Sequence, residues 1–168
     1  MTIFRTGLAA LTLLLLPAMA QAQGANVAFG GLKHDSTLPV EVTSDQLDVS
    51  QADGTAIFTG NVLVVQGDMR LSSDRVRVEY GAPGTESAGR IARMHASGNV
   101  VMVTPQEAAQ ADEAVYTIDA GSVVLSGNVI LTQEQNALSG ARLVVDLNAG
   151  TGVMEGRVKT IFQPAPRE

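Results

Sequence analysis

The sequence predicts an all-β fold of bent strands, on three observations. Apolar and polar residues alternate with period two in one segment after another. A phrase built on Ser/Thr-Gly-Asn-Val recurs along the chain, with a second phrase built on Ser-Asp between its copies. No window of useful length carries the helical period with capping residues at its ends.

The chain opens with an address rather than with a strand. In residues 1–22, Arg5 is followed by an apolar run from Gly7 to Leu16 and then by two A-x-A sites, Ala18-Met19-Ala20 and Ala20-Gln21-Ala22. That is the order of a cleavable export signal, and the run is short for a membrane span. The expectation is an exported chain cut after residue 20 or 22. Residues 23–38 read as a flexible polar leader, 39–163 as one β domain and 164–168 as a tail ended by Pro164 and Pro166.

Within the β domain, the first phrase appears as Thr59-Gly60-Asn61-Val62, Ser97-Gly98-Asn99-Val100 and Ser126-Gly127-Asn128-Val129, and in degenerate form as Glu155-Gly156-Arg157-Val158. Gly98, Gly127 and Gly156 are spaced by 29 residues, and Gly60 stands 38 before Gly98. The excess is an insertion of loop composition, Gly81 to Gly89. The second phrase begins Ser44-Asp45, Ser73-Asp74, Ala111-Asp112 and Gly140-Ala141, and its second position falls 14 residues after Gly60, Gly98 and Gly127.

Each element between these marks reads as strand. Val40 and Val42 lead into Leu47 and Val49 across an odd offset, so a bulge or turn at Ser44-Asp45 is needed to keep both runs on one face. Gly60 interrupts Ala56-Ile57-Phe58 and Val62-Leu63-Val64-Val65, as glycine does at a bulge or sharp corner. Val76, Val78 and Tyr80 alternate with Arg75, Arg77 and Glu79; Tyr116 and Ile118 alternate with Val115 and Thr117; Leu143, Val145 and Leu147 alternate with Arg142, Val144 and Asp146. Each repeat of about 29 residues is then a pair of strand segments with two kinds of corner. A folded-over sheet, a solenoid or a jelly roll uses such corners, and a flat sheet does not.

Composition narrows the chemistry. Lys+Arg number 11 against 17 Asp+Glu, which argues against nucleic acid as partner. Without cysteine there is no disulfide framework, thiolate metal site or cysteine nucleophile. Only His34, in the leader, and His95, read as a surface residue, are available for imidazole chemistry. No catalytic, cofactor or metal-ligating residues are assigned. The apolar share is 45% but the aromatic share only 4%, so the interior is aliphatic.

Pro39-Val40-Glu41-Val42-Thr43-Ser44-Asp45, Ala56 to Gly67, Leu71 to Val78 and Leu125 to Val129 together resemble the OstA-like family of periplasmic lipopolysaccharide-transport proteins. The resemblance runs from about Pro39 to Phe162, with Arg157 and Ala141 as departures at the last corner. It implies a twisted, slightly open antiparallel β-jelly roll with a V-shaped section. It also implies a non-enzymatic role, shielding the lipid A acyl chains of lipopolysaccharide between inner and outer membrane, with energy supplied by other components. The implied partners are lipopolysaccharide, inner-membrane-anchored and outer-membrane components with similar domains, and further copies joined edge to edge.

On that reading the lipid-binding interior comprises Val40, Val42, Leu47, Phe58, Val62, Val64, Leu71, Val76, Val78, Tyr116, Ile118, Leu125, Val129, Leu131, Leu143 and Val145. Strand pairing for assembly falls to Val40 and Val42 at one edge and to Val153, Val158 and Ile161 at the other. From the residues alone, the same set reads first as packed core, and the resemblance turns that reading for the interior as a whole but not for each residue. Asp45, Asp74 and Asp112 read as corner hydrogen-bonders, with calcium ligation the alternative that lacks its Gly-rich nonapeptide. Arg70, Arg75, Arg77, Arg90 and Arg93 are either a solvated face or contacts for lipid phosphate. A structural β-solenoid assembly subunit and an exported carbohydrate-active enzyme remain as other functions; the latter requires a carboxylate cluster, and the acids are scattered.

Overall fold

The computed structural model describes residues 24–28, 35 and 37–162. The export signal, His34, Pro164 and Pro166 lie outside the described residues. Among those described, eleven strands form one sheet: β1 (Ala25–Ala28), β2 (Glu41–Thr43), β3 (Gln46–Ser50), β4 (Thr55–Gln66), β5 (Met69–Tyr80), β6 (Ile91–Val103), β7 (Glu107–Thr117), β8 (Ser122–Gln133), β9 (Asn136–Asp146), β10 (Thr151–Glu155) and β11 (Lys159–Ile161). Every pairing between these strands is antiparallel; from β3 to β10 each joins chain neighbours, while β2 pairs β4, β11 pairs β9 and β1 pairs β10. The all-β expectation is met, and the antiparallel path is compatible with a jelly roll.

The two sequence phrases meet at the corners. Between β4 and β5 the pairing runs through Thr59 with Arg75 and resumes at Val62 with Ser73, so Gly60 and Asn61 stand opposite Asp74 alone. Between β6 and β7 Gly98 and Asn99 likewise face Asp112 alone, and between β8 and β9 Gly127 and Asn128 face Ala141 alone; between β5 and β6 and between β7 and β8 three residues face two. Gly60 and Asn61 have φ of 81° and 45°, Gly98 and Asn99 77° and 46°, and Gly127 and Asn128 77° and 47°. These are left-handed conformations that glycine adopts freely and asparagine tolerates best among the others, which is why the phrase is Gly-Asn. The extra residue also explains the parity change. Inward residues step by four across a Gly-Asn corner (Phe58 to Val62) and by three across an Asp corner (Ser73 to Val76).

The Asp side chains lock these bulges. Asn61 Nδ2 donates to Asp45 Oδ2, Asn99 Nδ2 to Asp74 Oδ2 and Asn128 Nδ2 to Asp112 Oδ2, each at 2.8 Å. The aspartates fill the space over the neighbouring glycines: a Cβ on Gly60 would lie 2.5 Å from Asp45 Oδ2. Corner hydrogen bonding is thus the role these aspartates take. At the last corner Ala141 replaces the aspartate; its N–H still donates to Gly156 O at 3.1 Å, and Arg157 takes the left-handed place at φ 43°.

Bending at every corner folds the sheet along a line into two walls. Tyr116 and Gln66 prove the fold, because Tyr116 Oη donates to Gln66 Oε1 at 2.6 Å. They sit on β7 and β4, on opposite sides of the corner line, and a flat sheet would hold them roughly 30 Å apart. The inward faces of both walls therefore share one apolar cluster.

Two features depart from the sequence reading. Ala25–Ala28, inside the segment read as leader, forms β1 on the outer edge of β10. Val153 therefore lies between β9 and β1, pairing with Val144 and Asn26, and is not on an open edge. Val158 and Ile161 flank or lie on β11, which among the described residues pairs only with β9. The Gly81 to Gly89 insertion is a turn, as expected, held by Gly81 N–H to Arg90 O at 2.9 Å.

Gly60→Ala is expected to lower the unfolding free energy by about 2–3 kcal/mol, from the left-handed backbone together with the Asp45 clash. Asp112→Ala should cost only about 1 kcal/mol, the loss of one surface-accessible clamp. Urea unfolding of both variants checks this ranking, and an Asp112 loss equal to or above the Gly60 loss would refute it.

Candidate lipid-binding interior

Most of the predicted lining faces inward and is buried: Val62, Val64, Leu71, Val76, Val78, Tyr116, Ile118, Leu125, Val129, Leu131, Leu143 and Val145. Val40, Val42 and Phe58 are partly buried and pack against this cluster. Leu47 is the exception, 51% exposed. It keeps its inward register opposite Phe58, but β3 is an edge strand and nothing among the described residues lies outside it. Leu47 and Val49, the latter 65% exposed, form an apolar ledge at the open end of the interior.

Sequence reasoning missed the filling supplied by β6 and β7. Met94, Met102 and Ala96 on β6 and Ala109, Ala111 and Ala114 on β7 are buried, as are Met69 on β5 and Met154 on β10. The parity rule carried through Gly98 and Asp112 finds them, since Met94 and Ala96 continue to Val100 and Met102. Long methionines beside alanines make a lining that changes shape at small cost, because the thioether chain has three rotatable bonds and no branch.

The buried polar side chains lie at the rims, except Ser73, whose hydroxyl donates to Arg75 O at 3.2 Å at a corner. Gln66 ends β4, and besides accepting from Tyr116 it donates through Nε2 to Leu38 O at 3.0 Å. This chain of contacts ties the second wall to the first and to the segment before β2. Burial pushes the Tyr116 hydroxyl well above the ordinary tyrosine value, so it stays a donor across the physiological range. At the β6–β7 turn, the buried Glu107 carboxylate is held by the Thr104 hydroxyl, and the Glu107 N–H donates to that same oxygen at 3.1 Å. Gln133, at the end of β8, reaches Ala28 O at 2.6 Å.

The mouth between the walls contains a cleft of about 450 Å³ lined by Thr37, Val40, Arg90, Ile91, Ile118 and Asp119. Its floor is aliphatic and its rim carries Arg90, 3.8 Å from Asp119. The other four arginines singled out lie on outward positions. Arg77 and Arg93 bracket Glu79 at 3.5 and 4.0 Å. His95 is on the same outer face, with Nε2 shielded from solvent and 3.6 Å from Glu79.

Tyr116→Phe should reduce stability by about 1 kcal/mol at neutral pH through loss of the link to Gln66. Folding raises the pKa of this acid, so its contribution is full below the ordinary tyrosine value of about 10 and fades as pH rises beyond it. The unmodified protein should therefore lose stability in alkali more steeply than the phenylalanine variant. Equal alkaline slopes in thermal unfolding would contradict the assignment.

Comparison with known proteins agrees with this geometry. Residues 41–151 match the family described as LptA/(LptD N-terminal domain) LPS transport protein. An uncharacterized protein of Rhizobium meliloti is 30% identical over 114 residues, 66% of this chain and 61% of that protein. The lipopolysaccharide export system protein LptA of Escherichia coli K12 is 31% identical over 88 residues, 52% of this chain and 45% of that protein. The chain thus spans about half the length of the curated relatives it matches. The crystal structure of LptH, the LptA-homologous periplasmic component of the lipopolysaccharide transport device of Pseudomonas aeruginosa, superposes with a TM-score of 0.67 at 20% identity. It covers 77% of this chain and 99% of that one, a likeness of fold. With its Gly-Asn and Asp corners and its folded antiparallel sheet, the chain belongs to the LptA/LptD N-terminal domain family of lipopolysaccharide-transport proteins.

Proposed function

We propose that this chain is a periplasmic carrier of lipopolysaccharide that shields lipid A acyl chains between its two walls. In this role it is one segment of a bridge to inner-membrane-anchored and outer-membrane components with similar domains. The observation that carries the reading is the single, predominantly aliphatic interior shared by both walls, whose buried polar side chains lie at its rims apart from Ser73 at a corner, where its hydroxyl donates to Arg75 O. An acyl chain makes no hydrogen bonds, so polar atoms along its path would be left unpaired at a cost of a few kcal/mol each. The Leu47–Val49 ledge extends the apolar surface to an open edge, where another domain of the same kind would continue it.

In the described state the walls pack on each other, with Tyr116 only 2% exposed. Lipid entry therefore requires them to part. Magnitudes favour this: ten methylenes moved out of water gain roughly 8 kcal/mol, against about 1 kcal/mol for one hydrogen bond such as Tyr116–Gln66. The hydrogen bond sets the resting state without barring the ligand. Arg90, at the mouth, is placed to meet a lipid phosphate if it leaves Asp119.

Photocrosslinking residues at Val42, Val64 or Tyr116 should capture lipopolysaccharide in cells, while outward Arg77 and Thr117 positions should not. Capture confined to Arg77 and Thr117 would overturn the reading.

A further inference from the structure

We propose that β1 is a built-in cap, standing on β10 where strand β3 of a second copy of this chain would dock. The proposal rests on the edge-to-edge assembly reading above and adds a control to it. Strands alternate in direction from β3 to β10, and β1 is antiparallel to β10, so β1 runs in the sense an incoming β3 would have.

The registers coincide as well. The inward row that starts at Leu47 passes through Phe58 and Val76 and ends as Leu143, Met154 and Ala25. The row that starts at Val49 and Ala56 ends as Val145, Gly152 and Val27. Ala25 and Val27 thus hold, at the far edge, the places Leu47 and Val49 hold at the near one. The segments share a pattern: Ala25-Asn26-Val27-Ala28 repeats the inward-apolar, outward-polar, valine, small-residue order of Leu47-Asp48-Val49-Ser50.

Burial shows which edge is satisfied. Val27 is 6% exposed, whereas Val49 is 65% exposed. Among the described residues the near edge has no further strand, and the far edge is covered by the chain's own β1. Ala28 is fastened by Gln133 Nε2 at 2.6 Å. The cap is short and lined by small side chains, and β11 beside it has no strand on its outer side among the described residues. An incoming copy can pair with β11 first and then displace β1. Being tethered, β1 competes at an effective concentration of millimolar order, so it holds the edge in dilute protein and yields when copies are crowded.

Sedimentation of the exported chain tests the cap directly. Deletion of residues 24–28 should shift end-to-end association to at least about tenfold lower protein concentration, and Gln133→Ala should shift it the same way by less. The chain has no cysteine, so Asn26→Cys with Val153→Cys gives one engineered pair. Oxidised, it should form an intrachain disulfide and stay monomeric; reduced, it should associate like the unmodified protein. Association unchanged by the deletion, or an oxidised pair that assembles as readily as the reduced one, overturns the cap. Lipopolysaccharide capture is read on the same preparations. Capture lost everywhere with the association shift intact supports the cap and counts against the transport reading; capture intact with no shift does the reverse.

Discussion

The structure depends on one small arrangement: an aspartate on one strand clamping a Gly-Asn bulge on the next. Each clamp puts two left-handed residues opposite one extended residue and turns the sheet through a corner. Repetition in successive strands aligns the corners, so the sheet folds along a single line. Two walls then share one interior, and among the described residues β2, β3 and β11 have no strand on their outer sides. The interior, the mouth and the open edges all follow from the corner.

The interior is filled by its own aliphatic and methionine side chains, and the aromatic it does bury, Tyr116, uses its hydroxyl to tie the walls together. A low aromatic content is therefore no sign of a weak core. Short aliphatic side chains and flexible methionines can exchange contacts with one another for contacts with acyl chains, which rigid rings do less readily. If the walls part for a lipid, contacts such as Tyr116–Gln66 and Gln133–Ala28 are lost together with wall-to-wall packing, and the gain scales with the length of apolar chain taken up.

Much of this was legible in the sequence because corner chemistry is local. The Gly-Asn and Ser-Asp phrases lie within a few residues, their 29-residue register is visible without a structure, and the parity change at Asp74 or Asp112 can be counted. What escaped is long-range. β1 has four residues, too few for alternation to stand out, and it pairs with a strand more than 120 positions away. The Tyr116–Gln66 bond depends on how the walls meet, not on either segment. Leu47 reads like any inward leucine, and its exposure follows from the edge position of β3 alone. Val153 reads as an open-edge residue because its covering strand comes from the other end of the chain.

If the walls part to admit lipid, the angle at the corner line reports on it. Gln106 and Ala120 are exposed and flank the two ends of the bent strand β7. Spin labels at these two positions measure the opening as one distance by pulsed electron resonance. Saturating lipopolysaccharide should shift the distribution to longer distances, and Tyr116→Phe should broaden it in the same direction without lipid. Lipid binding with an unchanged distance would contradict that opening.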